Sequence, residues 1–151
     1  MNKIYLSLTV IVLFVFTMET SAYSLSDIIN KKWHYVSEIP NDIVEMNIIC
    51  KNTTAIISVR IKGSDEEFNW EFMYYLSETD TAFTETNVGN ITEGQYIIMR
   101  GINMPKNAVN NFILHIESLS NDTLTVKPMY NSNTLFLKNP KVWKFIYNPN
   151  N

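Results

Sequence analysis

The sequence predicts an all-β protein, a small antiparallel up-and-down β-barrel, with an immunoglobulin-like β-sandwich as the alternative. Three observations point there. Short runs alternate large apolar and polar residues with period two, as strands with one buried face do. Polar turn-forming clusters separate about eight to ten such runs at fairly regular spacing, which suits a barrel or a sandwich. No long stretch repeats with helical period, and no internal repeat, low-complexity block or linker interrupts the chain. The two folds differ in connectivity. Strands adjacent in sequence pair in an up-and-down barrel, whereas a sandwich uses Greek-key crossings.

The elements follow in chain order. Met1-Asn2-Lys3 is a short positive start, and Ile4 to Met18 is a nearly pure apolar run. Thr20-Ser21-Ala22 then offers the small residues that a signal peptidase reads. Residues 1–22 are thus expected to be a secretory signal peptide cleaved after Ala22. The apolar run is short of the ~20 residues that a membrane span needs, so no stable span is expected after cleavage. Residues 23–151 remain as a single domain of about 130 residues, enough to bury one core without staples.

"SLSDIIN" reads as one short helical turn, with Ser26 as its cap. "KWHYVS" is the first strand, with Trp33 and Tyr35 on one side and His34 and Val36 on the other. Pro40-Asn41-Asp42 ends it. "IVEMNIIC" is next, placing Val44, Met46, Ile48 and Cys50 on one face. "TAIISVRIK" follows a turn at Lys51-Asn52-Thr53 and points Ile57, Val59 and Ile61 inward. Gly63-Ser64-Asp65-Glu66 turns the chain into "FNWEFMYYL". There Phe68, Trp70, Phe72, Tyr74 and Leu76 share a face, and Asn69 and Glu71 take the wet one.

"AFTETNV" reads as a weaker strand, Gly89 to Gly94 as a loop, and "QYIIMR" as a strand. "INMPKNAVNN" is the longest plausible loop. "FILHIESL", "TLTVKPMY", "TLFLK" and "VWKFIY" complete the strands. Pro128 cannot donate a ladder hydrogen bond, so it marks an edge or a bulge. "VWKFIY" is apolar enough to be covered on both faces, with Trp143, Phe145 and Tyr147 together. It could close a barrel against the first strand, near Trp33.

Charge and composition narrow the function. The net charge is −3, and the twelve Lys and Arg residues are scattered. Nucleic acid needs a basic field, so it is not an expected partner. The single cysteine, Cys50, has no intrachain partner and sits on an apolar strand face. It reads as a buried free thiol. A secreted chain without disulfides fits a periplasm or bacterial surface better than an animal secretion.

His34 and His115 stand alone, without metal-ligand spacing, and no metal is expected. The carboxylates fall at turns or on wet faces. No serine has a nucleophile-elbow setting, and only four glycines are present, so no phosphate loop exists. Neither an enzyme nor a cofactor is expected.

The aromatic row is then the functional candidate. Phe68, Trp70, Phe72 and Tyr74, with Ile57 and Val59 of the preceding strand, would either line a ligand site or fill a core. The expected function is a secreted or periplasmic, non-catalytic binding module holding a small hydrophobic ligand in the barrel. The alternative is a cell-envelope protein-interaction or inhibitor module with a protein partner and an exposed aromatic patch.

"IINKKWHYVSE" resembles the opening of bacterial lipocalin-like domains, a short turn and then a Trp. "HIESLSNDTLTVKPM" is similar to their late hairpin, and "FNWEFMYYL" falls where they have a middle barrel strand. The likeness covers most of Ile28 to Tyr147. It implies an up-and-down barrel with an apolar cavity. Lys31 stands where such domains usually have Gly, and no Arg follows in the last strand to stack on Trp33, Lys144 being the nearest cation there.

Overall fold

The computed structural model describes residues 22–36, 43–102, 111–129 and 142–150. Its strands are β1 (Tyr23–Ser24), β2 (Lys32–Tyr35), β3 (Ile43–Cys50), β4 (Thr54–Ile61), β5 (Glu67–Ser77), β6 (Glu93–Gly94), β7 (Tyr96–Gly101), β8 (Asn111–Leu119), β9 (Thr123–Pro128) and β10 (Trp143–Tyr147). Eight of them close into one barrel in the order β10-β2-β3-β4-β5-β7-β8-β9, every pair antiparallel. β1 and β6 form a separate two-stranded ribbon.

This is the up-and-down barrel that the alternation predicts. Each barrel strand pairs with the next one along the chain, and β10 closes on β2, so the Greek-key sandwich does not occur. Closure leaves the barrel no edge strand. The seam pairs Tyr147 with Trp33 and Phe145 with Tyr35. The residues of the expected signal peptide before Ala22, "TLFLK" and most of "INMPKNAVNN" lie outside the described residues.

Cross-strand partners share a face, so the register fixes which side chains look inward. Ile57 opposes Trp70, Val59 opposes Phe68, and Ala55 opposes Phe72. Further round, Tyr74 opposes Met99, which opposes Phe112, and Leu76 opposes Ile97, which opposes Leu114. Apart from Val59 and Phe68, these residues, with Trp33, Leu124, Val126 and Phe145, make or pack against one continuous core.

Several local expectations are corrected. The first helical turn is a 3₁₀ turn at Leu25–Asp27, capped by Ser24 rather than Ser26; the Ser24 hydroxyl accepts from the Ser26 amide. Val44 does not join Met46, Ile48 and Cys50. A bulge between Ile43 and Glu45 makes Ile43 the partner of Ile61, and Val44 is 51% exposed. One extra residue inverts the facing of everything before it.

"AFTETNV" is not a strand. Residues 81–84 have no regular structure, and Glu85–Asn87 is a 3₁₀ turn. Phe83 instead lies against Tyr75 on the outside of the barrel, ring centroids 5.7 Å apart. The Tyr75 hydroxyl donates to the Ala82 carbonyl and accepts from the Thr84 amide, both at 3.2 Å. That explains why Tyr75 is buried although its neighbours Tyr74 and Leu76 face inward. "VWKFIY" is covered on one face only, since Val142 is 45% exposed and Ile146 38%. Pro128 ends β9 opposite Leu114 inside a closed sheet, and the nearby bulge belongs to β8, between Ile116 and Ser118. A proline at a strand's last residue satisfies the same constraint as one at an edge.

The ribbon needs Gly94. Its φ is +154°, and a Cβ there would lie 2.2 Å from the Ser77 carbonyl carbon and oxygen. The missing side chain lets β6 press onto the end of β5, where the Gln95 amide bonds the Ser77 carbonyl at 2.9 Å.

Candidate ligand-binding site

The barrel has two unlike ends. One carries the connections β3–β4, β5–β7 and β8–β9, together with the N-terminal 3₁₀ turn. Here the interior is sealed. Leu25 and Ile28 lie in the core, and the Trp33 indole N–H donates to the Ile28 carbonyl at 3.0 Å. The Asn30 amide bonds the Cys50 carbonyl at 2.9 Å, fixing the turn across the barrel's base; Asn30 takes a positive φ of 59° to do so.

Lys31 completes the plug. Its Nζ lies 5.1 Å from the Trp33 ring centroid and 5.6 Å from that of Tyr147. It also donates to the carbonyls of Asp27 (2.8 Å) and Asn121 (3.0 Å). One ammonium thus ties the entry turn, the β8–β9 turn and both rings of the closing seam. The cation on Trp33 is therefore Lys31, from just before β2, and not Lys144, whose register partner Thr125 belongs to the outer row. The sequence signal was present, a lysine two residues before the Trp, but only closure shows that it reaches Tyr147.

The opposite end carries the connections β2–β3, β4–β5, β7–β8 and β9–β10. The interior-facing residues there are large and mostly aromatic, and apart from the buried Val59 they are half-buried or exposed. Tyr35, Met46, Ile57, Trp70, Phe112 and Trp143 pack against the core but are half-buried. Phe68 and Ile61, at the outermost level, are 38% and 37% exposed. The aromatic rings meet edge to face: Tyr35 with Trp143 at 6.3 Å, Tyr35 with Phe145 at 5.3 Å, and Phe72 with Phe112 at 5.3 Å. Such geometry matches ring edges to ring faces and holds the rings in defined orientations.

The six candidate residues do share one face, as the register requires. They differ in burial. Phe72 and Tyr74 are buried in the body of the barrel, and Val59 is buried although it lies opposite Phe68 toward the far end. Ile57 and Trp70 are half-buried, and Phe68 is at the rim. Reading one hairpin missed Tyr35, Phe112 and Trp143, which complete the aromatic ring from across the barrel. Each was legible as an inward position on its own strand. Their convergence was not, because it follows from closure.

Polar chemistry inside is sparse. The Tyr74 hydroxyl donates to the Lys51 carbonyl at 2.6 Å. Cys50 is buried and free, and desolvation pushes its thiol pKa up to about 12, so it is held protonated. Desolvation also raises the Tyr74 phenol. Among the described residues no three His, Cys, Asp or Glu side chains gather as metal ligands. His34 and His115 both sit on the outer face, His115 with its Nδ1 3.1 Å from Glu117 and its ring 4.9 Å from that of Tyr96. No helix among the described residues is long and apolar enough to cross a membrane.

Compared with protein-family models, curated proteins and solved structures, the chain matches none.

Proposed function

We propose that the protein is a secreted or periplasmic, non-catalytic binding module of the lipocalin-like kind, which holds a small apolar molecule at the aromatic end of its barrel. The observation that carries this reading is the contrast between the ends. One end is closed by a turn, a tryptophan and a lysine, with Tyr147 and Leu119 half-buried beside them, while at the other end four half-buried aromatic side chains, Trp70, Trp143, Tyr35 and Phe112, come together. Concave, mostly apolar, aromatic-lined sites are where small molecules bind. Secretion is supported by the apolar leader before Ala22, and β1 starts at Tyr23, so cleavage there would leave every described strand intact.

Native mass spectrometry of protein purified from its own host tests this. A co-purified small-molecule adduct is expected on the wild type and absent from Trp70→Ala. An adduct that survives Trp70→Ala and Trp143→Ala, or a wild type without adducts, would sink the proposal. A protein-interaction or inhibitor module is the second reading. It draws on Val36, Val44, Val142 and Ile146, which are exposed on or beside β2, β3 and β10. Polar substitution of Val44 and Val142 would abolish partner capture under that reading and leave a small-molecule adduct untouched under the first.

A further inference from the structure

Resting on the secretion part of the reading above, we propose that Asn52 and Asn90 are attachment sites for Asn-linked oligosaccharides, which the fold gathers at the closed base of the barrel. Three stretches of the chain have the Asn-x-Thr form with a residue other than Pro between: Asn52-Thr53-Thr54, Asn90-Ile91-Thr92 and Asn121-Asp122-Thr123. Oligosaccharyl transfer needs an asparagine carboxamide with a hydroxyl two residues on, presented on the far side of the membrane that a leader sends the chain across. No asparagine within residues 37–42, 103–110 and 130–141, which join strands at the other end, stands in such a triplet.

All three triplets begin on turns at the base, and each of the three asparagines is exposed. The Lys51 amide bonds the Thr54 carbonyl at 2.7 Å, which puts Asn52 and Thr53 at the corners of the β3–β4 hairpin. Asn90 stands in the turn that follows Glu85–Asn87, and its amide bonds the Asn87 carbonyl at 3.0 Å. These two turns are neighbours: a Cβ built on Gly89 would stand 3.4 Å from the Thr53 Cγ2. Asn52 and Asn90 thus share one corner of the base. A glycan is bulky and hydrated, so it fits where the side chain leaves the surface, as at a hairpin corner.

The transfer joins the asparagine Nδ2 to the anomeric carbon of the sugar. That carbon's bond to its donor, a polyprenyl diphosphate, breaks; the diphosphate leaves with the bonding electrons, and the amide gives up one proton. The modified carboxamide keeps one N–H. At Asn90 one is enough, because its Nδ2 donates one hydrogen bond, to the Thr86 carbonyl at 2.7 Å. Asn121 is the poorer acceptor. The hydroxyl of its triplet, Thr123 Oγ1, donates to the Asp122 carboxylate at 3.1 Å, a charge-assisted bond that competes for the group the transfer requires. The two residues adjoin in sequence, so this competition does not depend on folding.

Protein purified from its own host tests the assignment. After denaturation, which strips any bound small molecule but leaves covalent sugar, its mass should exceed that of residues 23–151. Peptide-N-glycosidase in heavy-oxygen water should remove the excess and convert Asn52 and Asn90 to labelled Asp, with Asn121 the least converted of the three. Thr54→Ala expressed in that host should lose the Asn52 glycan, whereas Thr54→Ser, which restores the hydroxyl, should carry it. A chain that starts at Tyr23 and has the unmodified mass overturns the proposal and leaves secretion standing. An unmodified chain that retains residues 1–22 overturns both. A glycan on Asn52 that persists in Thr54→Ala, or sugar on Asn121 alone, overturns the placement.

Discussion

Trp33 and Trp70 lie on one row of cross-strand pairs, Tyr147–Trp33–Ile48–Ile57–Trp70. Strands in a closed barrel tilt against its axis, so the row climbs from the sealed end to the exposed one. Trp33 is fully buried, its N–H bonded to Ile28 and its ring under Lys31. Trp70 has the same residue type on the same interior face and is half-buried. The difference lies in what the chain supplies above each ring. At the base it supplies a 3₁₀ turn with two core residues and a lysine. At the other end the interior-facing neighbours are themselves half-covered. A large apolar side chain is therefore a structural element where it is fully buried and a candidate contact where part of its surface stays exposed.

That contrast can be broken by mutation. The largest effect is expected at the base: Trp33→Ala removes a buried ring and its hydrogen bond and should cost ~3–5 kcal/mol in urea denaturation. Gly94→Ala should follow. It forces a Cβ against the Ser77 backbone at a φ that L residues rarely adopt, so more than ~1 kcal/mol should be lost, read as a fall in thermal midpoint. Trp70→Ala removes only partly buried area and should cost roughly 1–2 kcal/mol, while its effect on ligand binding exceeds that of Trp33→Phe. Equal costs at Trp33 and Trp70 would mean that the two ends are one packed core.

Lys31→Met should cost about 1 kcal/mol, since it gives up a cation over two rings and two carbonyl contacts, and leave ligand binding at the far end unchanged. The smallest effect in neutral solution concerns Cys50. Its thiol ionises near the ordinary cysteine range when unfolded but only near about 12 when folded. The folded state thus retains a proton that the unfolded state gives up. The associated stability is whole below about pH 9 and lost as pH rises from about 9 to 12, at no more than ~1.4 kcal/mol per pH unit. Tyr74, also raised, acts in the same sense further into alkali. Urea unfolding at pH 7 and pH 10.5 should show the loss, and Cys50→Ala should lessen it. Thiol labelling of the folded protein should be slow and accelerate in denaturant.

Much of the barrel was legible strand by strand. On β4 and β5 the alternation is unbroken, and Ile57, Val59, Phe68, Trp70, Phe72 and Tyr74 face as the pattern says. Val44 and Phe83 show where such reading stops. A bulge changes face by one residue without altering composition, and Phe83 looks like a strand residue until the outer surface of β5 is there for it to cover. The aromatic site was half legible. Its β4–β5 side could be read from one hairpin, whereas Tyr35, Phe112 and Trp143 belong to strands distant in sequence.

The sequence by itself determined the all-β class, the strands whose period is unbroken, the inward face of β5 and the buried free thiol at Cys50, because each depends on local period or residue type. Only the tertiary structure decided the closing pair of β10 with β2, the bulge at Val44, the Lys31 plug and the division of one apolar interior into a sealed end and a half-covered end. These depend on which strands meet across the barrel, and strand pairing is a long-range choice that no local window of sequence contains.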